Sequence, residues 1–248
     1  MNDNLPPDFE ARWRARFERL GQKFDTEADI AGWSENGLAT RLRLFRRCMG
    51  SVSGRWLDAG CGAGSYVRAL MEAGAGEVVA VDYSGPSLVK ARALTSGGSA
   101  WWVQADVRGL PLAEESVDGA LCFGVSQALS ESDSMARELA RVVRPGGTVW
   151  VDGLNAGSLQ HRVSRWRRRS EAGPARLRVE SPPHLAETLA RAGLAPTRVV
   201  WVPIAPGALR SLQPVFDQVG AVQLGRLGAV LSHGFMLEAA KVTVPASS

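Results

Sequence analysis

Apolar residues recur along the chain with two periods, one typical of helices and one typical of buried strands. Up to about residue 49 they return every three or four positions, as Phe9, Trp13 and Phe17 do, which predicts helices that bury one face. A further helix is expected over 37–49. Beyond it, short apolar runs predict strands at 55–59, 77–82, 101–105, 117–123, 148–151, 197–204 and 235–244. The helices expected between the strands are 65–72, 85–94, 132–143 and 182–192.

Strands that alternate with helices in this way favour parallel pairing through right-handed crossover connections. The sequence therefore predicts an α/β fold built on one largely parallel sheet. The end of the chain departs from the alternation, because the long segment 205–232 separates the last two predicted strands. We expect that segment to be helical in part.

The composition suits a globular protein with a substantial core, since 45% of the 248 residues are hydrophobic and 22% are charged. Cys48, Cys61 and Cys122 are too few for a disulfide framework and form no CxxC pair, so no metal site is expected. The first residues are polar, and no apolar run approaches the ~18 residues of a membrane span. These features predict a cytoplasmic protein without a membrane span.

The positive charge is concentrated in one segment, 161–178. It holds seven arginines against the single acid Glu171, a local charge of +6, whereas the net charge of the whole chain is only +4. A nucleic-acid-binding protein generally spreads its basic footprint more widely. The segment is either a binding site for an anionic acceptor or a solvated helix face.

A glycine-rich loop follows the first predicted strand, in the order Asp58-x-Gly60-x-Gly62-x-Gly64. Glycines there tolerate positive φ and let backbone amides approach a ligand closely. The N-terminus of the next helix adds unpaired N–H donors that suit a carboxylate or a phosphate. On its own, such a loop is a weak signal, since a tight strand-to-helix turn is the alternative.

Acidic residues at the next strand ends make the loop more specific. Asp82 ends the second predicted strand, about 20 residues after the loop, where an acid typically accepts hydrogen bonds from ribose hydroxyls. Asp106 follows the third strand. Because ligands of open parallel sheets bind across the carboxyl ends of the strands, Asp58, Asp82 and Asp106 should line one crevice.

These motifs together resemble those of the class I, Rossmann-like S-adenosylmethionine-dependent methyltransferases. Within that class the chain is similar to the ubiquinone, menaquinone and natural-product enzymes that methylate small molecules. The segments that carry the resemblance, within about 52–153, are LDAGCGAG at 57–64, VAVDYS at 79–84, ADV at 105–107 with Leu110-Pro111 and Val117-Asp118, and RVVRPGG at 141–147. The order GxGxG, in place of GxGxxG, favours methyl transfer over hydride transfer.

The resemblance implies a Rossmann-like sheet of seven mostly parallel strands with helices on both faces, an antiparallel last strand and an N-terminal helical lid. It implies a single domain over 1–248, with a lid at 1–50, a cofactor-binding core at 51–155 and a substrate-side segment at 156–248. S-adenosylmethionine would be converted to S-adenosylhomocysteine. The cofactor-binding residues implied are Asp58, Gly60, Cys61, Gly62, Gly64, Asp82, Tyr83, Asp106, Val107 and Phe123.

Within that set the implied roles differ. The glycine loop would hold the methionine portion, Asp82 the ribose, and Asp106 the adenine amino group with Val107 packed nearby. Phe123 and Gly124 would flank the methionine side.

The acceptor side is less clearly marked in the sequence. Methyl transfer from a sulfonium is an in-line displacement that needs a general base only when the acceptor is protonated. Of the three histidines, His161 is the candidate base, although a solvated or structural role is the alternative. Trp33 and Gln127 are candidate acceptor contacts, with Trp33 part of a lid.

Three functions remain open on this evidence. The first is methylation of an oxygen or nitrogen of a small metabolite, natural product, or lipid or glycan precursor. The second is an RNA or protein methyltransferase that docks through 161–178, and the third is a catalytically silent cofactor-binding module. A DNA substrate is not expected, because the chain has no Asn/Asp-Pro-Pro-Tyr/Phe motif. Whether the protein is a monomer or a homodimer is not indicated.

Overall fold

One mixed sheet organises the chain. The computed structural model describes residues 5–167, 177–205, 211–222 and 225–243, and within them eight strands belong to this sheet. The strands are β1 (Arg55–Ala59), β2 (Glu77–Asp82), β3 (Ala100–Gln104), β4 (Val117–Cys122), β5 (Val143–Asn155), β6 (Val179–Glu180), β7 (Leu194–Val202) and β8 (Gly234–Lys241). Their order is β3-β2-β1-β4-β5-β8-β7, and β6 pairs with the end of β5.

The pairing directions agree with the predicted topology. β1 to β5 pair with one another in parallel, and β8 runs antiparallel to both β5 and β7. The direction of the strand order reverses between β1 and β4, at the centre of the sheet. This reversal opens a crevice at the carboxyl ends of the strands, where open α/β sheets bind ligands.

Ten α-helices lie in the described part of the chain, several of them with clear sequence signals at their ends. They are α1 (Phe9–Lys23), α2 (Glu27–Ile30), α3 (Glu35–Met49), α4 (Ser65–Glu72), α5 (Gly85–Leu94), α6 (Asp133–Val142), α7 (Leu159–Arg167), α8 (Pro182–Arg191), α9 (Gln213–Val222) and α10 (Gly225–Leu231). Ser34 caps α3 by accepting from the Gly37 amide at 3.1 Å. Ser181 caps α8 in the same way, and proline occupies the first turn of that helix.

Some predicted boundaries were wrong. β5 begins at Val143 instead of residue 148, because Val143 pairs with Val117 and an irregularity in the β4–β5 register accommodates the Pro-Gly-Gly segment without ending the strand. β7 begins at Leu194 instead of 197 and ends at Val202. The short β6 and the short helix α2 were not predicted, since two and four residues are too few for a periodic signal.

Both faces of the sheet are covered. Alternate residues of β1 enter different cores, Leu57 on one side and Trp56 on the other. The Leu57 core is closed by apolar residues of α6 and α8, and the Trp56 core by those of α3, α4 and α5. None of the helices in the described ranges combines the length and apolar content that crossing a bilayer requires.

A buried ion pair ties the N-terminal helices to the sheet. Arg41 of α3 donates from Nη1 to Asp152 Oδ2 of β5, and both side chains are 1% exposed. The second oxygen, Asp152 Oδ1, accepts from the Gly124 amide at 2.7 Å. Removing one member of such a pair leaves an uncompensated charge inside the protein.

Asp152→Asn should therefore lower the free energy of unfolding by about 3 kcal/mol. The control is Glu72→Gln, which removes the partner of Arg46. Arg46 belongs to α3, as Arg41 does, but the Glu72 and Arg46 side chains are 60% and 45% exposed. That change should lower the free energy of unfolding by less than about 1 kcal/mol. Urea unfolding measures both variants, and equal effects would contradict the structural role of the buried pair.

Candidate functional site

A cavity lies at the carboxyl ends of β1, β2 and β4, beneath the N-terminal helices. Its lining residues come from those helices, from the loops that follow the strands and from the short turn after β4. They are Glu10, Trp13, Arg14, Phe17, Ile30, Ala31, Trp33, Gly60, Gly62, Asp82, Tyr83, Ser87, Asp106, Val107, Phe123, Gly124, Val125, Ala128 and Leu129. Segments far apart in sequence thus meet at one concave site.

The glycine loop is drawn tightly onto the neighbouring strand. The amides of Gly60 and Cys61 both donate to the Val81 carbonyl, at 2.7 and 2.9 Å. Gly60 has φ +87°, and a Cβ there would lie 2.2 Å from a methyl group of Val125. Only glycine therefore fits between the strand end and the cavity. Gly60 and Gly62 reach the cavity, whereas Cys61 and Gly64 do not line it.

Asp82 lies at the cavity wall and is held by backbone amides. Its Oδ2 accepts from the Gly62 amide and its Oδ1 from the Ser84 amide, each at 2.8 Å. Burial raises the pKa of Asp82, although these amide hydrogen bonds counteract part of the effect. The two hydrogen bonds fix the carboxylate at the end of β2, as the sequence pattern predicted.

Asp58 lies deeper than expected. It is buried within β1 and does not line the cavity, and its Oδ2 has no hydrogen-bond partner in the ranges that the structure describes. Burial, followed by the negative charge of Asp82, raises the pKa of Asp58 to about 8. Asp58 is thus mainly protonated at neutral pH in this state.

Asp106 lines the cavity but already has cationic partners. Arg14 of α1 donates to Asp106 Oδ2, and Arg108 donates to the same oxygen at 2.8 Å. Val107 lines the cavity beside it. The Arg14 guanidinium also lies over the ring of Tyr83, 5.4 Å from its centroid. Arg14 gave no signal in the sequence, because its partners are distant along the chain.

Glu10 links α1 to the opposite rim of the cavity. Its Oε1 accepts from the amide of Ser130 at 2.8 Å and from its hydroxyl, and its Oε2 accepts from Arg108. Burial alone would raise the pKa of Glu10, but the Ser130 hydrogen bonds and the Arg108 charge lower it below its ordinary value. The ionised side chain therefore holds the helix over the cavity.

The wall beyond the glycine loop is apolar. Phe123, Val125, Ala128 and Leu129 form it together with Trp33. Trp33, a predicted acceptor contact, lies at this wall, whereas Gln127 is buried and absent from the lining. No histidine, lysine or cysteine of the described residues belongs to the cavity lining.

His161, the candidate base, lies elsewhere. Its ring packs against His233 with centroids 4.4 Å apart, and its Nε2 lies 2.9 Å from the His233 carbonyl oxygen. It does not line the cavity. His184 is exposed and lies 3.6 Å from Glu180. A catalytic role for His161 stays a prediction, without support from its position.

The arginine-rich segment is described only at its ends. The side chains of Arg165, Arg167, Arg168, Arg169 and Arg176 lie outside the described residues. Arg178 is not solvated, in contrast to one interpretation of the segment. It is buried and donates to Glu180 and to the Ser126 carbonyl, at 3.2 and 3.0 Å. At this end of the segment, therefore, Arg178 connects β6 to the turn after β4.

Comparison with known proteins agrees with this geometry. A family model described as a methyltransferase domain matches residues 57–151. A malonyl-(acyl-carrier protein) O-methyltransferase from Pseudescherichia vulneris is 35% identical over 187 residues, which cover 75% of this chain and 67% of the relative. An enzyme of the same name from Erwinia pyrifoliae is 31% identical over 88% of this chain and 80% of its own. The chain belongs to the class I S-adenosylmethionine-dependent methyltransferases.

Solved structures show the same fold. 1,6-Didemethyltoxoflavin N1-methyltransferase from Burkholderia thailandensis, with bound 1,6-didemethyltoxoflavin and S-adenosylhomocysteine, superposes with a TM-score of 0.62 at 19% identity, covering 97% of this chain and 92% of that one. Magnesium protoporphyrin IX methyltransferase from Synechocystis PCC 6803, with bound S-adenosylhomocysteine, gives 0.58 at 16% identity, covering 94% and 96%. The predicted Rossmann-like fold is confirmed.

The membership also bears on the predicted functions. This methyltransferase is an enzyme that uses S-adenosylmethionine as the methyl donor. The prediction of a donor site is thereby confirmed at the level of the cofactor, and the silent-module alternative was wrong. The roles of individual residues remain predictions.

Asp58→Asn should stabilise the ligand-free methyltransferase. Because the pKa of Asp58 is raised to about 8 in the folded state, folding opposes its ionisation, and the resulting loss of stability grows as pH rises from about 4 to about 8. The variant should exceed wild type in free energy of unfolding at pH 7 to 8 and equal it below about pH 4. Urea unfolding across this range measures the difference. The exposed change Asp25→Asn is the control, and a gain that does not vary with pH would contradict the argument.

Glu10→Gln should loosen α1. The variant loses the ionic contact with Arg108, and hydrogen exchange of the α1 amides should become about fivefold faster, equivalent to about 1 kcal/mol. Since the pKa of Glu10 is lowered on folding, its contribution is present above the ordinary pKa and is lost as pH falls through the lowered value. The difference between variant and wild type should therefore vanish in acid. Asp8→Asn, at an exposed pair beside the same helix, should leave exchange unchanged.

Proposed function

We propose that this methyltransferase esterifies the free carboxylate of a malonyl-type acyl thioester carried on an acyl-carrier protein. The observation that supports it is the apolar wall at Phe123, Val125 and Leu129. The described residues that line the cavity include no histidine, lysine or cysteine that could remove a proton from the acceptor. A carboxylate is already ionised at neutral pH, so its methylation needs no general base. The malonyl-(acyl-carrier protein) O-methyltransferases among the relatives act on such a group according to their names.

The residues present fit the methyl donor. Asp82, fixed by two amides, would accept hydrogen bonds from the ribose hydroxyls, and the glycine loop leaves space for the methionine portion. Asp58 would receive the positive charge of that portion, since its Oδ2 lacks a partner among the described residues. Asp106 would take the adenine amino group after Arg14 withdraws. These assignments rest on the family resemblance and on the cavity that collects most of the residues.

The reaction then requires alignment more than proton transfer. When bound, S-adenosylmethionine supplies a methyl group activated by its sulfonium sulfur. A carboxylate oxygen of the acceptor forms a bond to that methyl carbon as the carbon–sulfur bond breaks, giving a methyl ester and S-adenosylhomocysteine. The N-terminal helices and the apolar wall exclude water and hold the acceptor in line. We place the reaction in the cytoplasm, without assigning an oligomeric state.

A labelled methyl donor tests the proposal. Malonyl-acyl-carrier protein should acquire a base-labile methyl ester, and acetyl-acyl-carrier protein, which lacks the free carboxylate, should not. At saturating substrates kcat should stay within about twofold between about pH 6 and pH 9, because no group has to lose a proton. Equal labelling of the acetyl thioester would refute a carboxylate acceptor. A kcat that rises about tenfold per pH unit would refute the base-free reaction.

A further inference from the structure

A buried arginine near the apolar wall has hydrogen-bonding capacity that the fold does not use. Arg41 donates from Nη1 to Asp152, but its Nε and Nη2 have no partner within the described ranges. The residue is 1% exposed. Buried donors without acceptors are unfavourable, and a charged group makes the penalty larger. The surrounding described residues therefore supply no acceptor for these two donors.

The unused donors have a definite shape. Nε and Nη2 form one edge of the planar guanidinium, and two parallel donors in that arrangement match the two oxygens of a carboxylate. The guanidinium itself needs a glycine beside it, since a Cβ at Gly234 would lie 2.8 Å from Nη2. A compact planar anion suits this edge better than a bulky one.

One side chain contacts both Arg41 and the cavity. The indole of Trp33, which lines the cavity, covers the guanidinium with its ring centroid 4.0 Å from the Arg41 Cζ. Gly124, also in the lining, donates to the same Asp152 that binds Arg41. Arg41 thus lies directly behind the wall at which the acceptor is proposed to bind.

Trp33 belongs to the loop between α2 and α3, not to a helix. Gly32, just before it, is exposed and has φ +67°, a conformation that glycine adopts without strain. The indole is half-buried. Its contact with Arg41 is a cation–π interaction, which is weaker than two charge-assisted hydrogen bonds to a carboxylate. An incoming carboxylate therefore gains by displacing the ring.

One acid and one histidine lie near Arg41. Asp152 balances the guanidinium, and His233 has its ring centroid 6.5 Å from that of the Trp33 indole. Burial, followed by the charges of His161 and Arg41, lowers the pKa of His233 to about 3, so this neighbour is neutral at physiological pH. No second cation of the described residues lies here, so a carboxylate would be recognised by the two hydrogen bonds of the Nε–Nη2 edge and not by a cluster of positive charges.

We propose that the Nε–Nη2 edge of Arg41 binds the free carboxylate of the acceptor, and that Trp33 is the movable cover of this pocket. The inference rests on the proposed carboxyl methylation and identifies the group that would select for it. A carboxylate bound in this way keeps a lone pair on each oxygen, so it can still attack the methyl group. Arg41 is then a specificity-determining residue.

Calorimetry on the S-adenosylhomocysteine complex tests the pocket with malonate and its neutral analogue malonamide. Wild type should bind malonate at least about tenfold more tightly than malonamide. Arg41→Lys keeps the charge opposite Asp152 but removes the planar edge, and should weaken malonate binding at least about tenfold without changing the affinity for S-adenosylhomocysteine. Arg43→Lys is the matched control, since Arg43 lies two positions along the same helix and pairs with Asp217 at its surface. That variant should bind malonate as wild type does.

Trp33→Leu provides a second test that leaves the buried pair intact. Removing the indole abolishes the contact that malonate must displace, so malonate should bind about three- to tenfold more tightly. Weaker binding in this variant would overturn the role of Trp33 as a cover. Equal malonate affinity in Arg41→Lys and Arg43→Lys would overturn the pocket, as would a wild type that binds malonate no better than malonamide.

The outcome can be separated from that of the proposed function by assaying malonyl-acyl-carrier protein in parallel. If wild type methylates malonyl-acyl-carrier protein but Arg41→Lys binds malonate as tightly as wild type does, the pocket alone is overturned. Malonate binding that depends on Arg41, without turnover of the malonyl thioester, would support a carboxylate pocket and reject the proposed acceptor.

Discussion

The burial of carboxylates at the carboxyl edge of a parallel sheet is the constraint on which this structure depends. Asp58, Asp82 and Asp152 belong to β1, β2 and β5, and each is almost inaccessible to solvent. Buried negative charge is unfavourable unless it is protonated, hydrogen-bonded or paired, and the protein uses all three solutions. Asp82 accepts two amides, Asp152 binds a guanidinium and an amide, and Asp58, whose pKa is raised to about 8, keeps its proton at neutral pH. Asp58 thus stays without a partner for its Oδ2 among the described residues, beside a cavity that receives a cationic donor. Its burial makes the ligand-free fold less stable, and the binding of a cation can be stronger for that reason.

The same constraint explains why the N-terminal helices are part of the site. The positive partners of the acids come from these helices: Arg41 of α3 for Asp152 and Arg14 of α1 for Asp106. On α1, Glu10 contributes a negative side chain, which accepts a hydrogen bond from Ser130 and pairs with Arg108 on the far rim. Because the exposed members of this set are screened by water and the Arg41–Asp152 pair is not, α3 is anchored firmly and α1 more weakly. A cover that is fixed at one end and loosely held at the other suits a cavity that must admit and release ligands.

Much of this was predictable from local pattern. β1, α4 and β2 were predicted to the residue because an apolar strand, a glycine loop and an amphipathic helix each leave a periodic signal. Asp82 and Asp106 followed from their positions at strand ends. What could not be predicted depends on contacts between distant segments: Arg41 and Asp152 are 111 positions apart, and no spacing rule joins them. Asp58 was expected to line the crevice because of its motif, but it is buried within β1 and does not line the cavity. His161 was chosen by position, although it packs against His233.

The carboxylate of Asp106 has two competing kinds of partner, the adenine amino group and the arginine side chains. The family resemblance assigns it to the adenine amino group, whereas in this structure Arg14 and Arg108 occupy its oxygens. Arg108 is its near neighbour in sequence and can stay, but Arg14 arrives from α1 and covers Tyr83 as well. If adenine takes its place at Asp106, Arg14 has to withdraw, and α1 then loses one of its polar attachments to the rim. Under that assignment donor binding and closure of α1 would be opposed at Asp106, while Glu10 would continue to hold the helix through Ser130. Exchange of product for fresh donor would then need only a partial release of α1, and α3 would keep its buried pair.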